Sequence, residues 1–344
     1  MEAGRFAGTR MMEKHNAETR DTVLVRLLRD RYLRWVEGAI LLLILITYIT
    51  FPTYHTLLSQ IFIFTLFVLS LDLLVGYAGL VTLGHAAFFG VGAYSAGLYA
   101  IHISPEPLSG LVVATSSAAV VGLVSGALIL RTTGLTFLML TLAVASVVHE
   151  ILNQAGELTG GADGLRGIEM SPLLGIAEFD FMGNTAFIYS AVVLVVGYLF
   201  FRQVIRSPFG RQIVGIRENA IRMRAIGSPV YLRLLAAYTI SAGMAGTAGA
   251  LLAQTNQFVS LSVVTMERSG EALIMLIFGG AGKLFGAFVG VPLYMLLQDL
   301  LSRYTPIFWV FWIGLMLVLI VKFAKNGVLG VGTRLLNKYR SRHG

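Results

Sequence analysis

Residues 76–94 read GYAGLVTLGHAAFFGVGAY, an apolar stretch in which glycine recurs every few positions, and six glycines lie within residues 76–97. Glycine weakens a helix and lets two backbones approach closely, so such a cluster marks a helix break or a tight helix contact. A second cluster has five glycines within residues 279–290. We therefore predict a loop that enters an apolar layer and continues as a helix from about Ala86. At the second cluster we predict two helices with a break near residues 279–283.

The composition of the chain indicates that this apolar layer is a lipid bilayer. Of 344 residues, 56% are apolar and only 13% are charged, about half the charged fraction of an ordinary soluble domain. The mean hydropathy is +0.78. The chain has no cysteine, which excludes a disulfide framework and a thiolate metal site.

Seven further apolar segments flank the two glycine clusters, and each is long enough to cross the hydrocarbon, some only with help from their flanks. They are residues 36–51, 57–75, 108–130, 135–153, 185–201, 230–253 and 308–321. With one crossing at the first cluster and two at the second, the sequence predicts an all-α polytopic membrane protein with about ten transmembrane segments.

The distribution of basic residues predicts the orientation, because Lys and Arg accumulate in cytoplasmic segments. Ten crossings place 23 of the 26 basic residues on one side, including six arginines in loop 202–229. The acidic loop 154–183 then lies outside, and both termini lie in the cytoplasm. The net charge of +8 is thus explained by topology, and we expect no nucleic-acid partner.

The two halves of the chain are predicted to be inverted repeats. Five crossings precede the external loop and five follow it, so the halves run in opposite directions, and each glycine-broken region occupies the third position of its half. In transporters built from inverted repeats, the substrate path lies near such breaks. No repeat is evident residue by residue.

Residues of the broken segments are the candidates for the translocation path, because backbone that leaves helical geometry in a membrane is buried in protein or faces water. Those candidates are Gly76, Gly79, Thr82, Gly84, His85, Gly279 and Gly280. The alternative is a packing face of small residues in which His85 bonds to a neighbouring group. Other ionisable residues lie within about a turn of a span end, where they reach the interface easily. They are Asp72, His149, Glu150, Glu271 and Asp299.

Loop 206–229 is predicted to contain a short cytoplasmic helix that docks to a soluble partner. Its apolar residues, Ile213, Ile216, Ala220, Met223 and Ile226, share one helical face, and charged residues populate the rest. An interfacial helix on anionic lipid is the alternative. We expect the amphipathic stretch 21–36 to lie on the lipid surface. The sequence predicts no catalytic residue, no metal site and no cofactor; the string GGAGK at residues 279–283 lacks the first glycine and the Ser/Thr of a phosphate loop.

Five motifs that occur in order resemble one family. They are the stretch 76–94, LTFLMLTLA at 135–143, TGGADGLRGI at 159–168, SPFGRQIVGIRENAIRMRAIG at 207–227 and SGEALIMLIFGGAGKLFGAFVG at 269–290. Together they strongly resemble the M-type permease subunit of branched-chain amino acid ABC transporters, over roughly residues 57–330.

This resemblance implies a membrane component of a bacterial or archaeal importer in the cell (inner) membrane. It implies three kinds of partner: a second, related permease, two ATPase (nucleotide-binding) subunits that hydrolyse ATP, and an external solute-binding protein. The family loop corresponds to residues 207–227, and the coupling candidates within it are Gly210, Arg211, Ile213, Ile216, Arg217 and Glu218. Leu80 and Val81 replace the Gln-Ser pair of the family, which leaves urea, short amides and aromatic acids open as substrates.

The predicted organisation has three parts: an amphipathic cytoplasmic extension at 1–35, a permease domain at 36–321 and a basic cytoplasmic tail at 322–344. The alternative function is an ion-coupled secondary transporter of a small polar solute, since inverted repeats permit that as well. A channel or scaffold without turnover is a third class. Such an ion-coupled carrier more often buries an acid near the midplane, whereas we place the acids of this chain near span ends.

Overall fold

The computed structural model describes residues 37–39, 42, 44–50, 52–173, 175, 178, 180, 183–306 and 308–323. The chain divides into two units, Met1–Tyr54 and His55–Gly344. In the first unit, the described residues up to position 50 are helical, and Pro52–Tyr54 form a 3-10 turn. The predicted extension 1–35 lies outside the described residues, and so does the predicted tail except for residues 322–323.

The second unit is built from helices joined by short connections. They are α1 His55–Asp72, α2 Ala86–His102, α3 Pro107–Ile129, α4 Leu135–Gln154, α5 Asn184–Arg206, α6 Pro208–Ala225, α7 Val230–Asn256, α8 Met266–Gly279, α9 Gly286–Tyr304 and α10 Trp309–Phe323. Helix α1 continues without interruption into a π-helical segment, Leu73–Ala78. The predicted start of a helix at Ala86 is confirmed, and so is the break between the two helices of the second glycine cluster.

Five helices of the described part of the chain are long and apolar enough to cross a membrane: α1 with its continuation, α3, α4, α5 and α7. The sequence predicts about ten crossings, and the difference lies partly in the interrupted segments. Helix α2 has 17 residues and α8 has 14. At about 1.5 Å per residue, both are shorter than the roughly 30 Å of hydrocarbon, so neither spans it without its flanking loop.

The centre of the second unit consists of α1, α2 and α7, whose residues are the most completely buried. Small residues on α7 allow its backbone to approach its neighbours closely. A Cβ added at Gly249 would overlap the carbonyl oxygen of Phe89 in α2, and one at Gly92 would overlap the backbone of Gly246. This is the close packing that glycine and alanine give to helices in membranes.

The outer helices α3, α4 and α5 expose apolar surface, as lipid-facing helices do. On α4, Leu135 is 72% exposed and Met139 is 62% exposed. In water such a surface would aggregate. The exposed faces therefore agree with a polytopic membrane protein.

The two ends of the bundle differ in what they carry. One end of the bundle, which we call the α6 end, contains α6 together with the end of α1, the end of α5 and the start of α7. At the far end, Gln254 of α7 is fully buried; it accepts a hydrogen bond from the Tyr189 hydroxyl (2.8 Å) and donates one to the carbonyl of Pro107 (2.8 Å). These bonds join α5, α7 and α3 at that end.

Candidate functional site

The first glycine-rich segment leaves helical geometry at the α6 end. The backbone of Gly79 is left-handed, with φ 74°, a conformation that favours glycine. The N–H of Leu80 then donates to the carbonyl of Leu74 (2.8 Å) and closes the turn. From there residues 79–85 return into the bundle, where α2 begins.

The returning loop is anchored inside the bundle at His85. Its Nε2 lies 2.8 Å from the hydroxyl oxygen of Ser70, and its ring stacks on Phe67 with a centroid distance of 5.4 Å. Because the Ser70 hydroxyl donates its proton to the Phe67 carbonyl (2.6 Å), Nε2 is the donor in the contact with Ser70. The next residue, Ala86, donates its N–H to the Ser269 hydroxyl of α8 (2.9 Å).

Thr82 and Gly84, the other polar and small candidates of the loop, are packed as well. Thr82 is 1% exposed, and its hydroxyl accepts the N–H of Gly84 (3.2 Å). A Cβ at Gly84 would overlap the carbonyl of Thr141 in α4. Thr82 and His85, at 0% exposure, therefore lie inside the protein in this conformation. The role in the path that the sequence assigns to them stays a prediction, and it requires the segment to open.

The second glycine-rich break lies at the same end of the bundle. Helix α8 ends at Gly279, and Gly280 (φ 103°) and Gly282 (φ 75°) turn the chain back into α9. A Cβ at Gly279 would overlap the carbonyl of Gly286, the first residue of α9. Glycine is thus required both for the direction of the turn and for the close contact of the two helices.

Asp72 connects the two breaks. It is fully buried, and its Oδ1 accepts the N–H of Gly282 at 2.7 Å. A Cβ at Gly76 would overlap both Oδ1 and the nitrogen of Gly282, so the glycine at 76 makes room for this bond. The expectation that Asp72 merely reaches the interface is wrong, because its carboxylate points into the protein.

Arg217 of α6 reaches the same place from the surface. Its Nη1 donates to the carbonyl of Gly76, and its side chain lies against Gly79. Arg217 is also close enough to Asp72 to attract the carboxylate electrostatically. The π-helical end of α1, the α8–α9 turn and α6 therefore meet in one group of contacts, which we call the junction: Asp72, Gly76, Gly79, Arg217 and Gly282.

Helix α6 consists of two helical pieces. Ser207 caps the first piece by accepting the N–H of Gly210 (3.2 Å), and Pro208 follows as its first residue. Asn219 leaves helical geometry (φ −158°, ψ 96°), and its side chain caps the second piece by accepting the N–H of Arg222 (2.9 Å). Both residue types are favoured helix N-caps. The predicted continuous helical face is interrupted at this point.

The predicted contact face of α6 needs a correction. Ile213 is 0% exposed and Ile216 is 5% exposed, and Ile213 packs with Ala78 of the π-helical continuation of α1 and with Ala237 of α7. These isoleucines hold α6 onto the chain's own helices, so they are not free to contact a soluble partner. The exposed residues of α6 are others, among them Arg211, Arg217, Glu218, Ile221, Arg222 and Arg224.

Comparison with known proteins gives the family of this chain. Residues 53–321 match the family model described as "Branched-chain amino acid transport system / permease component". No solved structure matches the chain significantly.

Curated relatives agree with the family model. The chain is 30% identical over 288 residues to the high-affinity branched-chain amino acid transport system permease protein LivM of Salmonella typhimurium, and the match covers 76% of this chain and 66% of the relative. The protein of the same name from Escherichia coli is 29% identical over 283 residues, with the same coverage.

A more distant relative comes from an archaeon. The probable branched-chain amino acid transport permease protein LivM of Methanocaldococcus jannaschii is 26% identical over 277 residues, which are 69% of this chain and 77% of the relative. The chain thus spans about two thirds of the length of the two bacterial relatives. Its five ordered motifs and its family match over 269 consecutive positions, 53–321, lead to one assignment: the chain belongs to the family of permease components of branched-chain amino acid transport systems.

Proposed function

We propose that this chain is the M-type permease subunit of an ATP-driven importer for branched-chain or related amino acids. In this proposal it pairs with a second, related permease, two ATPase subunits bind on the cytoplasmic side, and an external solute-binding protein delivers the ligand. The family match supports the membrane component, and the names of the relatives support the substrate class. The chain itself supplies a path and its gating, while its ATPase partners supply the hydrolysis.

We propose that the α6 end faces the cytoplasm and that the far end faces outside. The arginines of loop 202–229 lie at the α6 end, and the acidic loop 154–183 lies between helix ends at the far end. The positive-inside rule supports this orientation. Ten crossings in two inverted halves follow if α2 and α8 cross together with the loops that lead into them.

The observation that carries the proposal is the attachment of α6 to both helix breaks. On its inner side, Ile213 is buried against α1 and α7, and Arg217 bonds to Gly76. Burying an isoleucine side chain stabilises a contact by about 1.5–3 kcal/mol, so α6 moves together with the broken end of α1. A helix of this kind carries a displacement at the protein surface directly to the segments proposed as the path.

The outer side of α6 is the surface we propose for the ATPase. It exposes Arg211 and Glu218 as well as one large apolar side chain, Ile221, which is 79% exposed. An exposed apolar residue among charged ones suits a protein contact at least as well as an aqueous surface. Gly210, Ile213, Ile216 and Arg217 then hold the helix in place, and the outer residues contact the partner.

We propose the broken segments as the cytoplasmic part of the path. Of these candidates Gly79 is exposed at the α6 end, whereas Gly76, Thr82, Gly84, His85, Gly279 and Gly280 are buried in the described conformation. Movement of α6 away from the bundle would pull the broken end of α1 with it through Ile213 and Arg217, and would loosen this packing. The state described is then one in which the path is closed.

Two matched substitutions test the coupling surface. Glu218→Lys reverses a charge on the proposed ATPase face, and Glu157→Lys makes the same change at an exposed position of the far end. Charge reversal at an interface replaces attraction by repulsion. We expect Glu218→Lys to reduce recovery of the ATPase subunits in a pull-down, and Glu157→Lys to leave it at the wild-type level. Equal recovery of the ATPase subunits with both variants would contradict a coupling role for α6. It would support the alternative in which this helix rests on lipid.

A further inference from the structure

An ion pair lies at the start of α8, beside the span His55–Ala78. Arg268 Nη1 is 2.8 Å from Glu271 Oε2, one helical turn apart. Both side chains are partly accessible, at 28% and 25%. The sequence alone places Glu271 near a span end, and the structure places it elsewhere.

Two contacts indicate the depth of this pair. The guanidinium of Arg268 lies 5.3 Å from the ring centroid of Phe64, which is the tenth residue of the 24-residue span His55–Ala78. The neighbouring Ser269 bonds to Ala86, the first residue of α2 and thus the one most distant along that helix from the far end. Arg268 and Glu271 therefore lie level with the middle of the apolar span His55–Ala78.

Segment 257–265 leads the chain from the end of α7 into the bundle, to the depth at which the ion pair lies. It connects α7 to α8 without forming a complete helix, and Val259 pairs with Leu165 on its way down. The turn Leu261–Val264 packs against α2, with Val264 close to Gly90. Helix α8 begins only after this descent, so its first turn lies deep in the bundle rather than at the surface.

A charged pair at this depth does not face lipid without a large penalty. Insertion of a single arginine or acidic residue at the centre of a membrane helix costs about 2.5–3.5 kcal/mol. The accessible quarter of each side chain must therefore face protein or a water-filled space.

The ion pair forms a small polar region that is bordered by apolar side chains. Phe64 and Tyr294 are buried beside it, and Tyr294 is within electrostatic range of both charges. Glu267 is exposed on the same helical turn. A Cβ at Gly270 would meet nothing within 4 Å, so the surface next to the pair is open.

We propose that Arg268 and Glu271 bind the charged groups of a zwitterionic amino acid as it passes the middle of the membrane. The Arg268 guanidinium would donate to the α-carboxylate, and the Glu271 carboxylate would accept from the α-ammonium. A zwitterion brings one group for each charge of the pair and adds no net charge to the site. Such a site binds the α-carboxylate and the α-ammonium of the amino acid. The apolar side chain of the amino acid then contacts the neighbouring apolar residues.

This inference rests on the proposed function, because the open side of the pair is closed by the second permease in the assembled importer. The path then runs between the two permeases at the height of α8. At this height the accessible charges lie on α8, whereas His85 and Thr82 are buried in the described conformation.

The test uses the complete importer in proteoliposomes, with leucine as the transported probe. Arg268→Gln removes the charge but keeps donors, and Arg303→Gln is the matched control, because Arg303 forms an ion pair with Asp299 at 2.9 Å near the far end of α9. We expect Arg268→Gln to lower leucine uptake at least about tenfold, the loss that one charge-assisted hydrogen bond corresponds to. Arg303→Gln should stay within about twofold of wild type.

Two further readouts separate this inference from the proposed function and from misfolding. Recovery of ATPase subunits and ATP hydrolysis stimulated by the loaded binding protein are measured on the same samples. If the wild type lacks both, the proposed function fails; if it has both and Arg268→Gln transports leucine normally, the inference is overturned. Glu271→Gln, which removes the charge that would bind the α-ammonium, serves if Arg268→Gln does not accumulate, and wild-type uptake at all leucine concentrations would then contradict the site.

A charge swap distinguishes a binding site from a structural ion pair. The double variant Arg268→Glu, Glu271→Arg keeps a pair on α8 but exchanges the positions of its charges. A structural pair predicts that this variant recovers full uptake. The binding site predicts that uptake stays reduced, because the carboxylate and the ammonium of leucine would have to exchange places.

Discussion

The carboxylate of Asp72 accepts a hydrogen bond from the backbone N–H of Gly282 at 2.7 Å, although 210 residues separate the two positions. This bond joins the end of α1 in the first half of the chain to the α8–α9 turn in the second half. Arg217 bonds to Gly76 beside it. The surface helix α6 is thereby attached at a place where the two broken segments meet.

The bond between Asp72 and Gly282 should contribute measurably to stability. Asp72→Ala leaves the Gly282 N–H without its partner, which we expect to lower the free energy of unfolding by about 1–3 kcal/mol. Asp72→Asn keeps an acceptor oxygen at the same position and should lose less. Thermal unfolding of the purified protein in detergent compares the two. Equal loss in both variants would show that the carboxylate charge, and not the hydrogen bond, is what the fold requires.

Two isoleucines of α6 should respond in opposite ways to the same change. Ile213 is fully buried and Ile221 is 79% exposed. Ile213→Asp places an unpaired charge in the core, at a cost of several kcal/mol, so we expect little folded protein in the membrane fraction. Ile221→Asp should accumulate normally and reduce only the recovery of ATPase subunits. Normal accumulation of Ile213→Asp would contradict the burial of this face.

His85 should behave as a packing residue in the described conformation. His85→Ala removes the bond to Ser70 and opens a cavity beside Phe67 and Phe88, which we expect to cost about 2–4 kcal/mol. His85→Phe fills the space and should retain more of the stability. Protein abundance and transport are measured together for both variants. Unchanged abundance with reduced transport in His85→Ala would instead support the predicted role in the path.

The orientation can be read with single cysteines, because the chain contains none of its own. Asp163→Cys and Glu218→Cys are both at exposed positions. An impermeant thiol reagent added to intact cells should label Asp163→Cys, while Glu218→Cys should react only after the cells are permeabilised. The reverse pattern would contradict the proposed orientation of α6.

The sequence predicted the helix breaks well because glycine acts locally. The start of α2 at Ala86 and the end of α8 at Gly279 follow from clusters visible in the sequence. The interruption of α6 was also visible in principle, since Asn219 is a favoured N-cap residue. A helical pattern shows which residues share a face, but not what that face contacts. The pattern of Ile213 and Ile216 therefore does not distinguish docking to a partner from packing against the chain's own helices.

The sequence could not predict the residues whose position depends on distant parts of the chain. Asp72 and Glu271 both lie close to the ends of apolar runs, where acidic residues usually reach water. The burial of Asp72 depends on a turn 210 positions away. The depth of Glu271 depends on segment 257–265 descending into the bundle. No local pattern contains either fact.

Uptake of radiolabelled leucine into proteoliposomes tests the central claim most directly. The vesicles contain this chain, its partner permease and the ATPase subunits, with the loaded binding protein outside and ATP enclosed. The account predicts that leucine accumulates against its gradient when ATP is enclosed and no ion gradient is imposed, and that uptake stops without ATP. Accumulation driven by a proton or sodium gradient in the absence of ATP would contradict it and identify an ion-coupled carrier.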